Sequence, residues 1–197
     1  MKTRKLGIFM QLFLWLAILL LLGNSVLGFL AYSRSKTSLI QQIQSNAKNI
    51  AGCAATNVSG DLLRTIEVGD EETEAYGLVL EELALFRDNA EIEYIYTLRQ
   101  VGEEQFVFVV DSDPEEPADI GEECEATEGL STAFAEQITA ADEEPFTDEW
   151  GSHLSAYSPI FDGDAVVGAV GVDISANWID EQLAGLRNLV ILICGLA

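Results

Sequence analysis

Two uncharged hydrophobic segments limit how this chain can fold, because they lie on either side of a strongly acidic middle. Residues 6–31 contain no charged side chain in 26 positions, and residues 188–197 contain ten more uncharged positions. A helix needs about 20 apolar residues to cross the hydrocarbon core of a bilayer. The first segment therefore predicts a transmembrane helix. The second predicts the start of another transmembrane helix, cut short at Ala197.

The charges before the first segment predict its orientation. Lys2, Arg4 and Lys5 precede it, and positive charges favour the cytoplasmic side, so residues 1–5 are expected inside the cell. Residues 32–187 are then extracellular, in a protein of the cell membrane. A cleaved signal peptide is the alternative, but its apolar core is normally about 7–15 residues long. The length of the segment favours an uncleaved anchor.

The middle of the chain carries nearly all of its charge. All 33 acidic residues lie between Asp61 and Arg187, with only four basic residues among them. Binding to phosphate groups requires basic patches, so nucleic acid is excluded as a partner. The acidity indicates a well-solvated surface. A face that collects cations is the alternative.

Apolar spacing predicts a long amphipathic helix directly after the first hydrophobic segment. The stripe recurs every three or four residues, as on one face of a helix, at Leu39, Ile43, Ala47, Ile50, Ala54 and Val58. We expect this helix to continue the membrane helix outwards. We also expect a homodimer that forms along the stripe.

The periodicity then changes from helical to alternating, which predicts an α+β domain with an antiparallel sheet. Short helices are expected over residues 62–68, 71–88 and 129–138. Strands are expected over residues 94–99, 105–111, 146–150, 153–161 and 165–174. A final helix over residues 175–187 leads into the second hydrophobic segment.

Three stretches carry a resemblance to a known family: residues 91–99 (EIEYIYTLR), 106–121 (FVFVVDSDPEEPADIG) and 150–174 (WGSHLSAYSPIFDGDAVVGAVGVDI). Together they resemble the single Cache domain, the extracellular relative of PAS domains in prokaryotic receptors. The resemblance implies a long N-terminal helix packed on a PAS/Cache-like antiparallel sheet, flanked by transmembrane helices.

The resemblance also implies a function. Such domains bind a small extracellular molecule between the sheet and the loops and helices over it. They relay binding through the membrane helices to a histidine kinase, chemotaxis module, cyclic-dinucleotide enzyme or phosphatase. These 197 residues contain no such output domain and lack the Arg-x-Trp-Tyr signature of two-module Cache receptors. Ligand identity is therefore not transferred. An anchored surface protein that binds a solute or cation, without signalling, is the alternative.

Asp173 is the sharpest candidate for a ligand contact, because it is a charge within an apolar strand, and a buried carboxylate needs a partner. In Cache relatives that bind amines, the resemblance implies an acid in this strand that meets the amino group; a local backbone hydrogen bond is the alternative. Arg99 is a candidate clamp for a ligand carboxylate, or else forms an ordinary salt bridge. The full set of candidate ligand-binding residues is Tyr94, Tyr96, Arg99, Phe108, Trp150, His153, Tyr157 and Asp173. For the aromatic members, a place in the hydrophobic core is the alternative.

An acidic loop gives a weaker candidate for a metal site. Asp111, Asp113 and Glu115 occupy alternate positions, as at the start of a calcium loop, but Glu116 stands where such loops need glycine. A solvated acidic loop is the alternative. No nucleophile motif or phosphate-binding loop occurs, so we predict neither enzyme activity nor a cofactor. Pairing of Cys53 with Cys124 stays open.

Overall fold

The computed structural model describes residues 7–148 and 150–196, which form two compact units. One contains residues 7–40 and 180–196; the other is Gln41–Ile179, the domain described below. The helices are α1 (Ile8–Asn57), α2 (Gly60–Thr65), α3 (Glu74–Arg87), α4 (Glu128–Glu136) and α5 (Ala176–Leu196). The strands are β1 (Tyr94–Gly102), β2 (Gln105–Asp111), β3 (Glu123–Cys124), β4 (Ala140–Ala141), β5 (Phe146–Thr147), β6 (Ser152–Asp162) and β7 (Ala165–Ser175).

The strands form one antiparallel sheet in the order β3-β2-β1-β7-β6-β4, with β5 paired to β6. The predicted α+β class, the hairpin and the long final meander are confirmed. The two-residue strands β3 and β4 were not predicted, because two residues are too few to show a period. The strand expected over residues 146–150 is shorter than predicted, because the Asp148 carboxylate accepts backbone N–H bonds from Trp150 and Gly151 and turns the chain.

The predicted stripe on α1 is mostly buried within the domain from residue 43 onwards, and Ile50 is half-buried. Ile43, Ala47, Ala54 and Val58 are all buried, and Gln44 donates from the same helix to the carbonyl of Asp142. Gly52 of this helix faces the side chains of Thr139 and of Ser158 on β6. The homodimer expected along the stripe stays a prediction; within the chain, the buried side chains of residues 43–58 pack inside their own domain.

The chain turns sharply after α1 at a position that only glycine fits. Gly60 begins α2, and a Cβ atom there would collide with the carbonyl of Phe161. The absence of a side chain thus allows α2 to lie directly against the end of β6. Leu63 of α2 and Ile66, which directly follows the helix, are fully buried.

A bulge in β2 decides which side chains share a face of the sheet. Leu98 lies opposite Phe108, but Tyr96 lies opposite Asp111, so β2 contains one extra residue between these pairs. Without the bulge, strict alternation would place Phe108 and Asp111 on opposite faces. With it, both face the side of the sheet covered by α4, where Leu130 and Ala133 pack against Tyr96, Phe106, Phe108 and Tyr157.

The other unit contains the hydrophobic ends of the chain. Within the described residues, α1 is the one helix long and apolar enough to cross a membrane, with an 18-residue window of mean hydropathy 2.2. In the same unit α5 meets α1 where Gly28 faces Cys194. The predicted domain limits at residues 6–31, 32–187 and 188–197 stay predictions.

Candidate functional site

A cavity of about 40 Å³ lies on the face of the sheet that α4 covers. Its floor comes from the central strands, and its walls come from the loops on either side of β3 and from β5 with the loop that follows it. Side chains that line it from the strands are Tyr94, Tyr96, Phe108, Asp111, His153, Ser155, Tyr157 and Asp173. Those that line it from the loops and short elements are Asp113, Glu116, Ala118, Cys124, Glu125, Thr127, Phe146, Asp148 and Trp150.

Seven of the eight residues predicted from the sequence as ligand contacts line this cavity; the exception is Arg99. Along β1, Tyr94 and Tyr96 point to the cavity, so the odd-numbered Arg99 points to the opposite face. There its guanidinium donates to the carbonyls of Leu63 and Ile66, 2.7 and 3.0 Å away. The structure therefore corrects the proposal that Arg99 clamps a ligand: the side chain fixes the end of α2.

The centre of the site is a hydrogen bond between two side chains of neighbouring strands. The Tyr96 hydroxyl donates to Oδ1 of Asp173 at 3.1 Å, and both side chains are buried. Tyr96 lies directly opposite Gly171, where a Cβ atom would overlap the tyrosine ring. Gly171 therefore gives the ring room to lie across β7 and reach Asp173, two residues further along the strand.

Asp173 is a carboxylate in an environment that disfavours its charge. Burial raises its pKa from 3.8 to about 6, and Asp148 acts in the same direction. The Ser155 hydroxyl, His153 and the Tyr96 hydroxyl each favour the charged form, but together they offset only part of the burial cost. Strand pairing places Asp173 opposite Ser155, whose side chain hydrogen-bonds to the carboxylate. This partner explains the position of the Asp173 side chain without a hydrogen bond to the local backbone.

Aromatic rings surround the carboxylate in edge-to-face contacts. The rings of Tyr96 and Phe108 have centroids 5.1 Å apart, and those of Tyr94 and His153 are 5.3 Å apart. Nε2 of His153 also lies 3.3 Å from the Glu93 carboxylate. These contacts form an aromatic part of the cavity wall beside the carboxylate.

The cavity is strongly acidic. Six carboxylates line it, and among the described lining residues there is no Lys or Arg. Burial, and next the charge of Asp173, raise the pKa values of Tyr96 and Tyr157 well above their usual range. The same two causes, in the same order, raise the pKa of Cys124 to about 12. The negative charge inside the cavity thus adds to burial in raising the pKa values of all three groups.

In the acidic loop predicted as a metal-site candidate, the first residue, Asp111, holds the backbone of the loop in place. Asp111 accepts the backbone N–H groups of Asp113 at 3.0 Å and Ala118 at 2.9 Å. Asp113 in turn accepts from the backbone of Glu115. Within residues 7–148 and 150–196, no group of three or more His, Cys, Asp or Glu side chains is arranged to hold a metal ion.

Several lining residues were missed by the sequence reasoning. Ser155 was detectable, because it alternates with His153 and Tyr157 on one strand. Asp111 was considered only as a metal ligand, since the bulge that turns it to this face leaves no mark on the apolar pattern. Cys124 and Asp148 lie in segments that are too short or too irregular to show a period.

Cys53, Cys124 and Cys194 are free thiols.

Comparisons with known proteins support the fold. No protein-family model matches the sequence, and no curated protein matches it at a significant level. Among solved structures, an extracellular ligand-binding receptor from Desulfohalobium retbaense matches with a TM-score of 0.53 and 17% identity, over 77% of this chain and 26% of that chain. This similarity confirms the predicted PAS/Cache-like fold class.

Other structures match with lower TM-scores. The ligand-binding domain of the Campylobacter jejuni chemoreceptor Tlp3, in complex with L-norvaline, gives 0.42 at 12% identity, over 75% of this chain and 64% of that one. A domain of a sensory box/GGDEF family protein from Vibrio parahaemolyticus gives 0.49 at 12% identity, over 83% and 64%. The chain thus spans between 26% and 64% of the length of these three structures.

The raised pKa of Asp173 predicts that Asp173→Asn stabilises the protein at neutral pH. The folded chain holds this proton more tightly than the unfolded chain, so stability falls as pH rises from about 4 to about 6 and stays lower above that range. The asparagine has no charge to desolvate, so the variant should gain on the order of 3 kcal/mol at pH 7.5 and almost nothing at pH 4.

Urea denaturation of the full chain in nanodiscs at both pH values measures this difference. Asp164→Asn is the matched control, because Asp164 is exposed in the turn between β6 and β7, and it should change stability little at either pH. A loss of stability in Asp173→Asn at pH 7.5 would contradict the prediction, because it would show that the charged carboxylate stabilises the fold.

Proposed function

We propose that this chain is the extracellular sensing part of a membrane receptor, and that the cavity above β1 and β7 binds its small-molecule ligand. The observation that carries the proposal is the cavity itself, which has a buried carboxylate at its centre. The fold does not need the charge of this carboxylate. A carboxylate with a pKa near 6, inside a concave aromatic wall, is typical of a binding site rather than of a stabilising core.

The connection from the site to the membrane segment is short. Asp173 lies three residues before the start of α5 at Ala176, and His153 pairs with Ser175 at the end of β7. The same helix continues into the second hydrophobic segment. A ligand that moves β7 would therefore act on α5 directly, and a small helix displacement, of about 1–2 Å, is a common form of such relay.

A ligand screen on the full chain in nanodiscs tests the binding proposal. Melting temperature is measured with a panel of amines, amino acids, organic acids, sugars and purines. A ligand of the folded state should raise it in proportion to its affinity and concentration. Trp150→Ala, which opens the wall of the cavity, should reduce this shift, whereas Leu85→Ala, on the exposed side of α3, should not. A screen without any stabilising solute would contradict the proposal.

Relay is tested by a distance measurement in the same nanodiscs. Spin labels carried by unnatural amino acids at Thr37 and Gln182 report the separation of α1 and α5 and leave the native cysteines in place. Saturation with a solute from the screen should shift the distance distribution. An unchanged distribution at saturation would leave a binding domain without relay, that is, an anchored surface protein that binds a solute without signalling.

A further inference from the structure

We propose that the wall of the cavity assembles fully only at high ionic strength, because the two acidic loops that form it repel each other until dissolved ions screen their charges. The acidic wall consists of residues 112–126 and 143–148. This inference goes beyond the proposed function, since it concerns the chain without a ligand. The charge of the wall, its position around one cavity and the few contacts that hold it on the sheet support it.

The acidic wall belongs to a stretch with an extreme charge for its length. Residues 111–149 contain 15 acidic side chains and no Lys, Arg or His. None of the four ion pairs among the described residues includes a carboxylate of the wall. The charges of the wall are therefore balanced by the medium rather than by the protein, and repulsion between like charges opposes the compact state.

The two loops of the wall border the same cavity. Four wall carboxylates line it: Asp113, Glu116, Glu125 and Asp148. Cys124 shows that the loops are close together. Burial and the charge of Asp173 are the main causes of its raised pKa, and Asp148 and Glu125, one from each loop, raise it further. Carboxylates from both loops thus act on one thiol, and they repel each other over the same short distance.

Few contacts hold the acidic wall on the sheet. Its regular strand pairing consists of β3 on β2 and β5 on β6, with two residue pairs each. Among its described residues, the buried apolar side chains are Ala118 and Ile120. By contrast, α4 buries Leu130 and Ala133 completely. A segment with few buried apolar contacts opens locally at a small cost in free energy, so repulsion can open the wall while the central strands stay paired.

Hydrogen bonds hold each loop in shape without joining the two loops. In the first loop, the Glu122 carboxylate accepts the backbone N–H of Asp119, and Asp113 accepts that of Glu115. In the second, Asp148 accepts from the residues that follow it. Among the described residues, no hydrogen bond connects residues 112–126 with residues 143–148. Repulsion between the loops is therefore not opposed by a direct bond between them.

Dissolved ions act unequally on the forces in the wall. The distance over which charges interact in solution falls from about 10 Å at 0.1 M salt to about 3 Å at 1 M. Screening relieves the repulsion between wall carboxylates. It weakens no ion pair of the wall, because none is found among the described residues. High ionic strength therefore favours the closed wall and, with it, a complete cavity.

Hydrogen exchange of the full chain in nanodiscs at pH 7.5, followed by mass spectrometry, tests the inference. The backbone amides of the acidic wall should be protected about tenfold more at about 1 M NaCl than at about 0.1 M, since screening removes most of the repulsion. The amides of β1 and β7, in the centre of the sheet, are the internal reference and should change much less. KCl should act as NaCl does, because screening does not depend on which monovalent cation is present.

Two variants with the same net charge locate the effect. The wall variant replaces four exposed glutamates of the acidic wall: Glu116→Gln, Glu123→Gln, Glu125→Gln and Glu144→Gln. The control variant makes the same change at four exposed glutamates elsewhere: Glu71→Gln, Glu72→Gln, Glu103→Gln and Glu104→Gln. At about 0.1 M NaCl, the wall variant should already show most of the protection that the unmodified chain reaches at about 1 M. The control variant should keep the salt dependence of the wall.

Three results would overturn the inference. The first is equal protection of the acidic wall at both salt concentrations. The second is an equal loss of salt dependence in both variants, because the overall charge of the chain would then decide, and not repulsion within the wall. The third is an effect of Na⁺ that K⁺ does not reproduce, which would indicate a specific ion site. The proposed function is decided separately by the ligand screen, because a wall that does not respond to salt can still border a binding site.

Discussion

The arrangement of the site depends on one hydrogen bond between neighbouring strands, from the Tyr96 hydroxyl to the Asp173 carboxylate. It forms because β1 and β7 pair with Tyr96 opposite Gly171, which leaves room for the ring to lie across the strand. A register shift of one residue between the two strands would put the two side chains on opposite faces of the sheet. Sheet register, fixed by the buried residues on the opposite face, is therefore what places a carboxylate at the centre of the cavity.

That carboxylate has a cost for the folded state. Burial raises its pKa, and the surrounding hydroxyls and His153 offset this effect only in part. A bound ligand that pairs with this carboxylate would supply the missing compensation, so part of the binding energy would come from relief of an unfavourable charge. Because β7 leads directly into α5, the strand that carries this charge is also the one best placed to transmit a change.

Sequence reasoning reached most of the fold and most of the strand residues that line the cavity, for identifiable reasons. Period-2 alternation grouped Tyr94, Tyr96 and Tyr157, and a charge within an apolar run identified Asp173. It could not assign Arg99, because alternation gives two faces without saying which one lies over the cavity. It also missed the role of Asp111, which depends on a bulge, and that of Asp148, which depends on a turn within an irregular loop.

The pKa of Asp173 in the free and liganded chain tests most directly whether an uncompensated carboxylate forms the centre of the site. Carbon-13 NMR of aspartate-labelled protein in nanodiscs, with the Asp173 signal assigned from Asp173→Asn, follows its carboxyl carbon from pH 3 to pH 8. We expect a midpoint near 6 in the free protein and a shifted midpoint when a solute from the ligand screen is bound. A midpoint near 4 that no solute changes would contradict this expectation, because the site would then hold an ordinary, fully compensated carboxylate.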